Sequence, residues 1–222
     1  MKTSIFVAAL SAAALVGASA QAATYNFQSG GIIGSNVGNP SASFFDVTAT
    51  ETLTAIAINT EAPPAPKLHQ NNFGLGVNTG ITDVNQLDNI GDDEAIVFDF
   101  GKIVSFDSIT LNLAAQDDQY VIYGTNNPAV AACATGGLSC ITTISTFIAS
   151  GSGAGPLQDT VALLSGAFQY LIAAVFGGSG DGYRVAELSV SDVPLPAALP
   201  MMALGLGLFG VNGFFRRKQA RA

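Results

Sequence analysis

An all-β chain folded as a β-sandwich, set between an N-terminal signal helix and a C-terminal single transmembrane helix, is the architecture that three observations predict. Period-two alternation of apolar residues recurs through the middle of the chain. No stretch there sustains a 3.6-residue period over three turns, and segments dense in Gly, Ser, Asn and Pro separate the alternating runs. The 222 residues accordingly divide into 1–22, 23–192 and 193–222 as a signal peptide, a sandwich domain and a membrane-inserting tail.

The ends come first because they distort the composition. Lys2 precedes an apolar run from Ile5 to Val16, and Ala18-Ser19-Ala20 or Ala20-Gln21-Ala22 supplies a small-residue cleavage site. The run is too short to span a bilayer, so it predicts secretion rather than an anchor. At the other end, Ala198 to Phe215 nearly supplies the roughly 20 apolar residues that a membrane-crossing helix needs, with Asn212 its one strongly polar position. Arg216, Arg217, Lys218 and Arg221 follow and would hold that end in the cytoplasm. Without these ends, the basic residues left are Lys67, Lys102 and Arg184, three against sixteen Asp and Glu, a net charge of −13. Such a surface repels phosphate backbones, which excludes nucleic acid as a partner and leaves cations and neutral sugars.

Within the middle, Ile96, Phe98 and Phe100 alternate with Val97 and Asp99. Ile109, Leu111 and Leu113 alternate with Ser108, Thr110 and Asn112, and Ala186, Leu188 and Val190 alternate with Val185, Glu187 and Ser189. Further strands are predicted over 24–28, 44–48, 53–59, 120–123, 143–148, 160–163 and 170–176. Strands at this spacing close as a sandwich. The segment 61–66, with three prolines, reads as a stiff surface loop, and 66–72, which carries the single histidine His69, as a polar loop.

Two cysteines, Cys133 and Cys140, enter an oxidising compartment on export, where pairing is favoured. The expected disulfide closes a short loop, with Gly136 and Gly137 supplying a tight turn, and contributes about 2–3 kcal/mol on the chain-entropy argument. Two thiols without a neighbouring His or further Cys are too few ligands for zinc.

Candidate chemistry concentrates in residues 83–94, where Asp83, Asp88, Asp92, Asp93 and Glu94 surround Gly91 together with Asn85, Gln86 and Asn89. Calcium takes six to eight hard oxygen ligands on adaptable backbone. Structural calcium is therefore expected on Asp88, Asn89, Asp92 and Glu94, against the alternative of a solvated acidic loop. Gly177-Gly178-Ser179-Gly180-Asp181-Gly182 is a single copy of a glycine-rich pattern that binds calcium only in tandem, so it reads as a hairpin loop. The G-x-G-x-x-G at 205–210 lies in the apolar tail and carries no nucleotide. No catalytic residue is assigned: His69 has no G-x-S-x-G partner, and sixteen acids make some carboxylate pair inevitable without selecting one. Tyr120, Tyr123, Tyr170 and Tyr183 sit on or beside predicted strands, where packing accounts for them.

Two resemblances extend this reading. Val193-Pro194-Leu195-Pro196-Ala197, the apolar run and the basic end together resemble the PEP-CTERM class of bacterial tails in its VPLPA variant, with Leu195 where the commoner form has Glu. That resemblance implies recognition by an exosortase-type membrane protease, anchoring through the tail helix before processing, and a surface or matrix role beside exopolysaccharide. Residues 106–111, Tyr120-Val121-Ile122-Tyr123-Gly124-Thr125 and Arg184-Val185-Ala186-Glu187-Leu188-Ser189-Val190 resemble the galactose-binding-like jelly roll of discoidin-type and carbohydrate-binding modules. Gly74-Leu75-Gly76-Val77, residues 86–89 and Glu94-Ala95-Ile96 resemble a recurring block of secreted PEP-CTERM proteins. The jelly-roll resemblance implies that Glu187 joins the calcium ligands from the last strand. The expected function is a non-enzymatic, sorted matrix protein; the alternatives are a calcium-stabilised carbohydrate-binding module and a glycan hydrolase.

Overall fold

The computed structural model describes residues 21–28, 39–48, 50–59, 65–79, 86–88, 93–113, 118–135, 137–152, 158–163, 166–175 and 182–193. The signal segment 1–20, the tail helix and the basic end lie outside these residues.

Strand β1 (Ala22–Asn26) forms because Ala23 and Tyr25 alternate with exposed or half-exposed neighbours and face the core. The next two strands, β2 (Ser41–Phe45) and β3 (Thr52–Asn59), make an antiparallel hairpin. Its turn is held by the Asp46 carboxylate, which accepts the N–H groups of Thr50 at 2.7 Å and Glu51 at 2.9 Å. A second hairpin, β4 (Lys67–Asn71) and β5 (Gly74–Asn78), corrects the polar loop expected around His69. His69 is half-buried and stands opposite Gly76 in this ladder. Gly74 takes φ +131° where the hairpin meets the last strand, and a Cβ there would lie 2.8 Å from the Val185 carbonyl carbon. Two residues, Leu87–Asp88, form β6.

The organising element is β7 (Glu94–Leu113), which the alternation pattern divides in two and which runs unbroken through Gly101 at φ +66°. Its first half pairs with β3; its second half pairs with β10 (Gln158–Ala162) and with β12 (Gly182–Asp192); β11 (Ala167–Ala174) pairs with the first half at 95–99 and, after a register shift, with Val104 and Ser105. One hydrogen-bonded network thereby turns a corner and becomes two layers. Ile96, Phe98 and Phe100 from before the bend, and Val104, Phe106, Ile109 and Leu111 from after it, meet in one core with Tyr25, Phe27, Leu171 and Val185. Phe27 anchors this core, with Phe44 edge-on at 5.0 Å and Phe98 stacked at 5.4 Å. The architecture is the predicted β-sandwich, mostly strand with few helices.

The outer face of the first layer is also buried, which explains why residues 95–98 read as a continuous apolar run. β8 (Gln119–Thr125) extends that layer from β11, and β9 (Thr146–Ser152) forms its edge. Between them a 3-10 turn, Pro128–Thr135, and helix α1 (Gly137–Ile144) place Val130, Cys133 and Ile141 over Val97, Val121, Ile172 and Ala174. Cys133 and Cys140 are disulfide-bonded with Cα atoms 5.6 Å apart. The expected pairing is present; the described residues between the two cysteines lie in the 3-10 turn and in α1, and Gly136 of the expected turn lies outside the described residues. The strand predicted at 143–148 is corrected to the end of α1 followed by the start of β9.

Candidate functional site at the acidic end of the sandwich

Ends of six strands converge at one end of the domain. Asn59 closes β3 opposite Glu94, which opens β7. Just past β11, the Val175 N–H donates to the Glu94 carbonyl at 3.2 Å. Gly182 opens β12 opposite Asp88 of β6, and its N–H donates to Asp118 Oδ1, just before β8, at 3.0 Å. The Asp88 N–H donates to Glu94 Oε2 at 3.2 Å.

Asn59, Asp88, Glu94 and Asp118 are all buried, a group of side chains normally confined to the surface. Glu94 and Asp118 receive main-chain N–H groups, so they fix where strands begin, and burial makes such charge-assisted bonds stronger than their exposed counterparts. Beneath them Tyr183 donates its hydroxyl to the Ala174 carbonyl at 3.0 Å and meets Tyr120 edge-on at 6.5 Å. Burial, and then the proximity of Tyr120, push the Tyr183 hydroxyl well above the ordinary tyrosine range, so it remains a neutral donor.

Of the expected calcium ligands, the fold brings Asp88 and Glu94 together, while Asn89 and Asp92 lie outside the described residues. Glu187 is not brought to them. It sits in β12 between Asn26 of β1 and Thr110 of β7, five residues from Gly182, or about 16 Å along the strand. Among the described residues no three His, Cys, Asp or Glu side chains are placed to hold a metal. Two carboxylates fall short of the six to eight oxygens that calcium takes, so the described residues do not by themselves make up the expected site. Asp118 was not singled out from the sequence. The signal available was the Asp pair at 117–118 just ahead of an alternating strand, and its burial arises from Gly182, distant in the chain.

The opposite end carries the first and last described residues of the domain, Gln21 and Val193. Ala22 pairs with Ser191, and the Asp192 N–H donates to the Gln21 carbonyl at 3.0 Å. Lys102, just past the bend of β7, bridges Asp192 at 2.7 Å and Glu51 at 3.0 Å. Partial burial acts to lower the Lys102 pKa, but hydrogen bonds to Asp192 and Glu51 outweigh it and raise the value. Val193 follows exposed; Pro194, Leu195, Pro196, Ala197, Arg216, Arg217, Lys218 and Arg221 lie outside the described residues.

Residues 192–218 match the PEP-CTERM protein-sorting motif, starting on the last residue of β12. The chain carries a PEP-CTERM sorting signal. The motif marks a secreted, membrane-anchored precursor that is processed and exported to the cell surface, and it implies processing by exosortase, a membrane protease. No curated protein matches the chain. Among solved structures, the domain is similar to the family 32 carbohydrate-binding module of C. perfringens NanJ in complex with galactose, at 19% identity over 63% of this chain and 93% of that one, TM-score 0.36. A CBM32 domain from Clostridium perfringens in complex with GalNAc-β-1,3-galactose is similar at 10% identity over 64% and 95%, TM-score 0.34. The cleaved adhesin domain of Lys-gingipain from Porphyromonas gingivalis is similar at 12% identity over 79% and 99%, TM-score 0.35. Likeness at this level carries no argument about a ligand.

Proposed function

We propose that the protein is an exported, exosortase-processed surface or extracellular-matrix protein, non-enzymatic and associated with exopolysaccharide. The observation that carries this reading is the position of the sorting motif. Its first residue, Asp192, is the last rung of β12, so the motif starts where the fold ends and the tail can be removed without breaking a rung. Fusing residues 192–222 to an exported reporter tests the sorting step. With the protease present the reporter is expected at the surface or in the medium; release that continues unchanged without the protease overturns the reading. Retention of the mature domain on exopolysaccharide from its own host, with no new reducing ends formed, tests the partner and the absence of turnover together. Release of reducing ends would instead establish the glycan hydrolase.

The burial of Asp88 and Glu94 at one end favours a second reading, a carbohydrate-binding module with structural calcium on Asp88, Asn89, Asp92 and Glu94. In it Glu187 has no part. The alignment of β12 gives both readings a geometry: its eleven residues separate the acidic end from the tail exit by about 33 Å.

A further inference from the structure

Six large apolar side chains stand exposed among the described residues, and four of them gather at the end from which the tail leaves. Phe45 is 42% exposed and Val47 66%, both at the β2–β3 turn; Ile103, 51% exposed, follows the bend of β7; Val193, 40% exposed, follows β12. Their proximity follows from the ladders. Asp192 pairs with Val104, so Val193 continues toward Ile103, and Lys102 joins Asp192 to Glu51 beside the turn that carries Phe45 and Val47.

The chain then leaves little slack. From Val193 to the start of the apolar run at Ala198 is five residues, which reach at most about 18 Å however they are arranged. An interfacial zone some 5–8 Å thick on each side of the hydrocarbon takes up part of that reach. The signal peptide places the domain outside and the basic end holds the other side, so this end of the domain is held against the outer lipid surface. We infer that, before processing, the face formed by Phe45, Val47, Ile103 and Val193 rests on the lipid bilayer that holds the uncut tail. The inference rests on the tail spanning the membrane.

Lys102, one of the domain's three cations, stands at this face and offsets one of the two charges of Glu51 and Asp192. With Asp46 at the β2–β3 turn the face keeps a negative charge, so contact is expected with zwitterionic rather than anionic lipid and is driven by the apolar side chains. Four apolar side chains entering the interface favour contact in proportion to the area they bury.

The chain contains no tryptophan, so one introduced residue reports on one position. Ile103→Trp and Val47→Trp are made singly in the full-length chain and reconstituted into vesicles of phosphatidylcholine with brominated acyl chains. Phe73→Trp is the control: it is as exposed as Ile103, at 56%, but lies in the β4–β5 turn next to Gly74, which meets Val185, seven residues or about 23 Å from Asp192. Tryptophan at 103 and at 47 is expected to be quenched about threefold more than at 73, with melting temperatures unchanged among the variants. Equal quenching at all three positions in a chain that co-sediments with vesicles overturns the inference alone. A chain that fails to co-sediment overturns the spanning tail as well. Quenching that needs the co-reconstituted protease assigns the face to a protein partner and also overturns it.

Discussion

Replacing both Cys133 and Cys140 with Ala removes the covalent closure of the helical cap. The two residues are seven apart, so the ring closes about eight residues, and the chain-entropy argument gives about 2.5 kcal/mol of lost stability. For a domain of this size each kcal/mol moves the melting temperature by about 2–4 °C, so a fall of roughly 5–10 °C is expected. The cap packs Val130, Cys133 and Ile141 into one cluster with Val97 and Ile172 of the sheet, so the loss should not be confined to a local fraying of α1. Circular dichroism melts with and without dithiothreitol provide the assay. Reductant is expected to lower the wild-type transition to that of the double variant and to leave the variant unmoved. Single replacements sharpen the test: Cys133 is fully buried and Cys140 half-buried, so Cys133→Ser, which buries a hydroxyl, should cost more than Cys140→Ser. A double variant melting within about 1 °C of wild type would refute the view that the disulfide holds the cap.

Gly74→Ala is expected to destabilise by about 2–5 kcal/mol, from a φ of +131° that L residues rarely adopt and from a Cβ placed 3.0 Å from the Ala186 nitrogen; urea unfolding measures it. Burial acts to raise the Asp46 pKa, but the Glu51 N–H, the Thr48 hydroxyl and the Thr50 N–H outweigh it and hold the value at about 2. That contribution, at most about 2 kcal/mol, is full above pH 4 and is lost as pH falls from about 4 to 2, so an acid titration of Asp46→Asn should be flatter than wild type over that interval. Chelation by EGTA should lower the melting temperature if calcium is held at 88–94, and an unchanged transition removes the second functional reading. Mature protein should begin at Gln21, since a cut after Ala20 keeps the Gln21 carbonyl that accepts the Asp192 N–H, whereas a cut after Ala22 removes that rung; mass spectrometry decides.

The alternation at 96–100 and 109–113 was legible because Ile96, Phe98, Phe100, Ile109 and Leu111 are buried in the same core. Their continuity through Gly101-Lys102 was not, since a glycine and a lysine between two runs read as a turn, and only the distant partners β3, β11, β10 and β12 hold both halves in register. The hairpin at 67–78 was hidden by Gly74 and Gly76, poor strand formers; the small size of Gly74 is what lets the start of β5 lie against β12. The helices at 128–144 are too short to show a periodic stripe and depend on the disulfide and the sheet beneath them. At the acidic end, sequence placed the carboxylates of 83–94 in solvent or around calcium. Burial of Asp88 and Glu94 depends on strands more than eighty residues downstream, and no local pattern encodes it.

The pairing of β1 with β12 has one further consequence. Because Ala22 faces Ser191, the domain of residues 21–193 begins and ends at neighbouring points, and a few Gly and Ser residues would join 193 to 21 into a ring without disturbing a rung. New ends opened elsewhere would give a circular permutant. The domain is, in that sense, a cassette with both its fittings on one side, and any loop of a host protein with closely spaced stems is able to receive it.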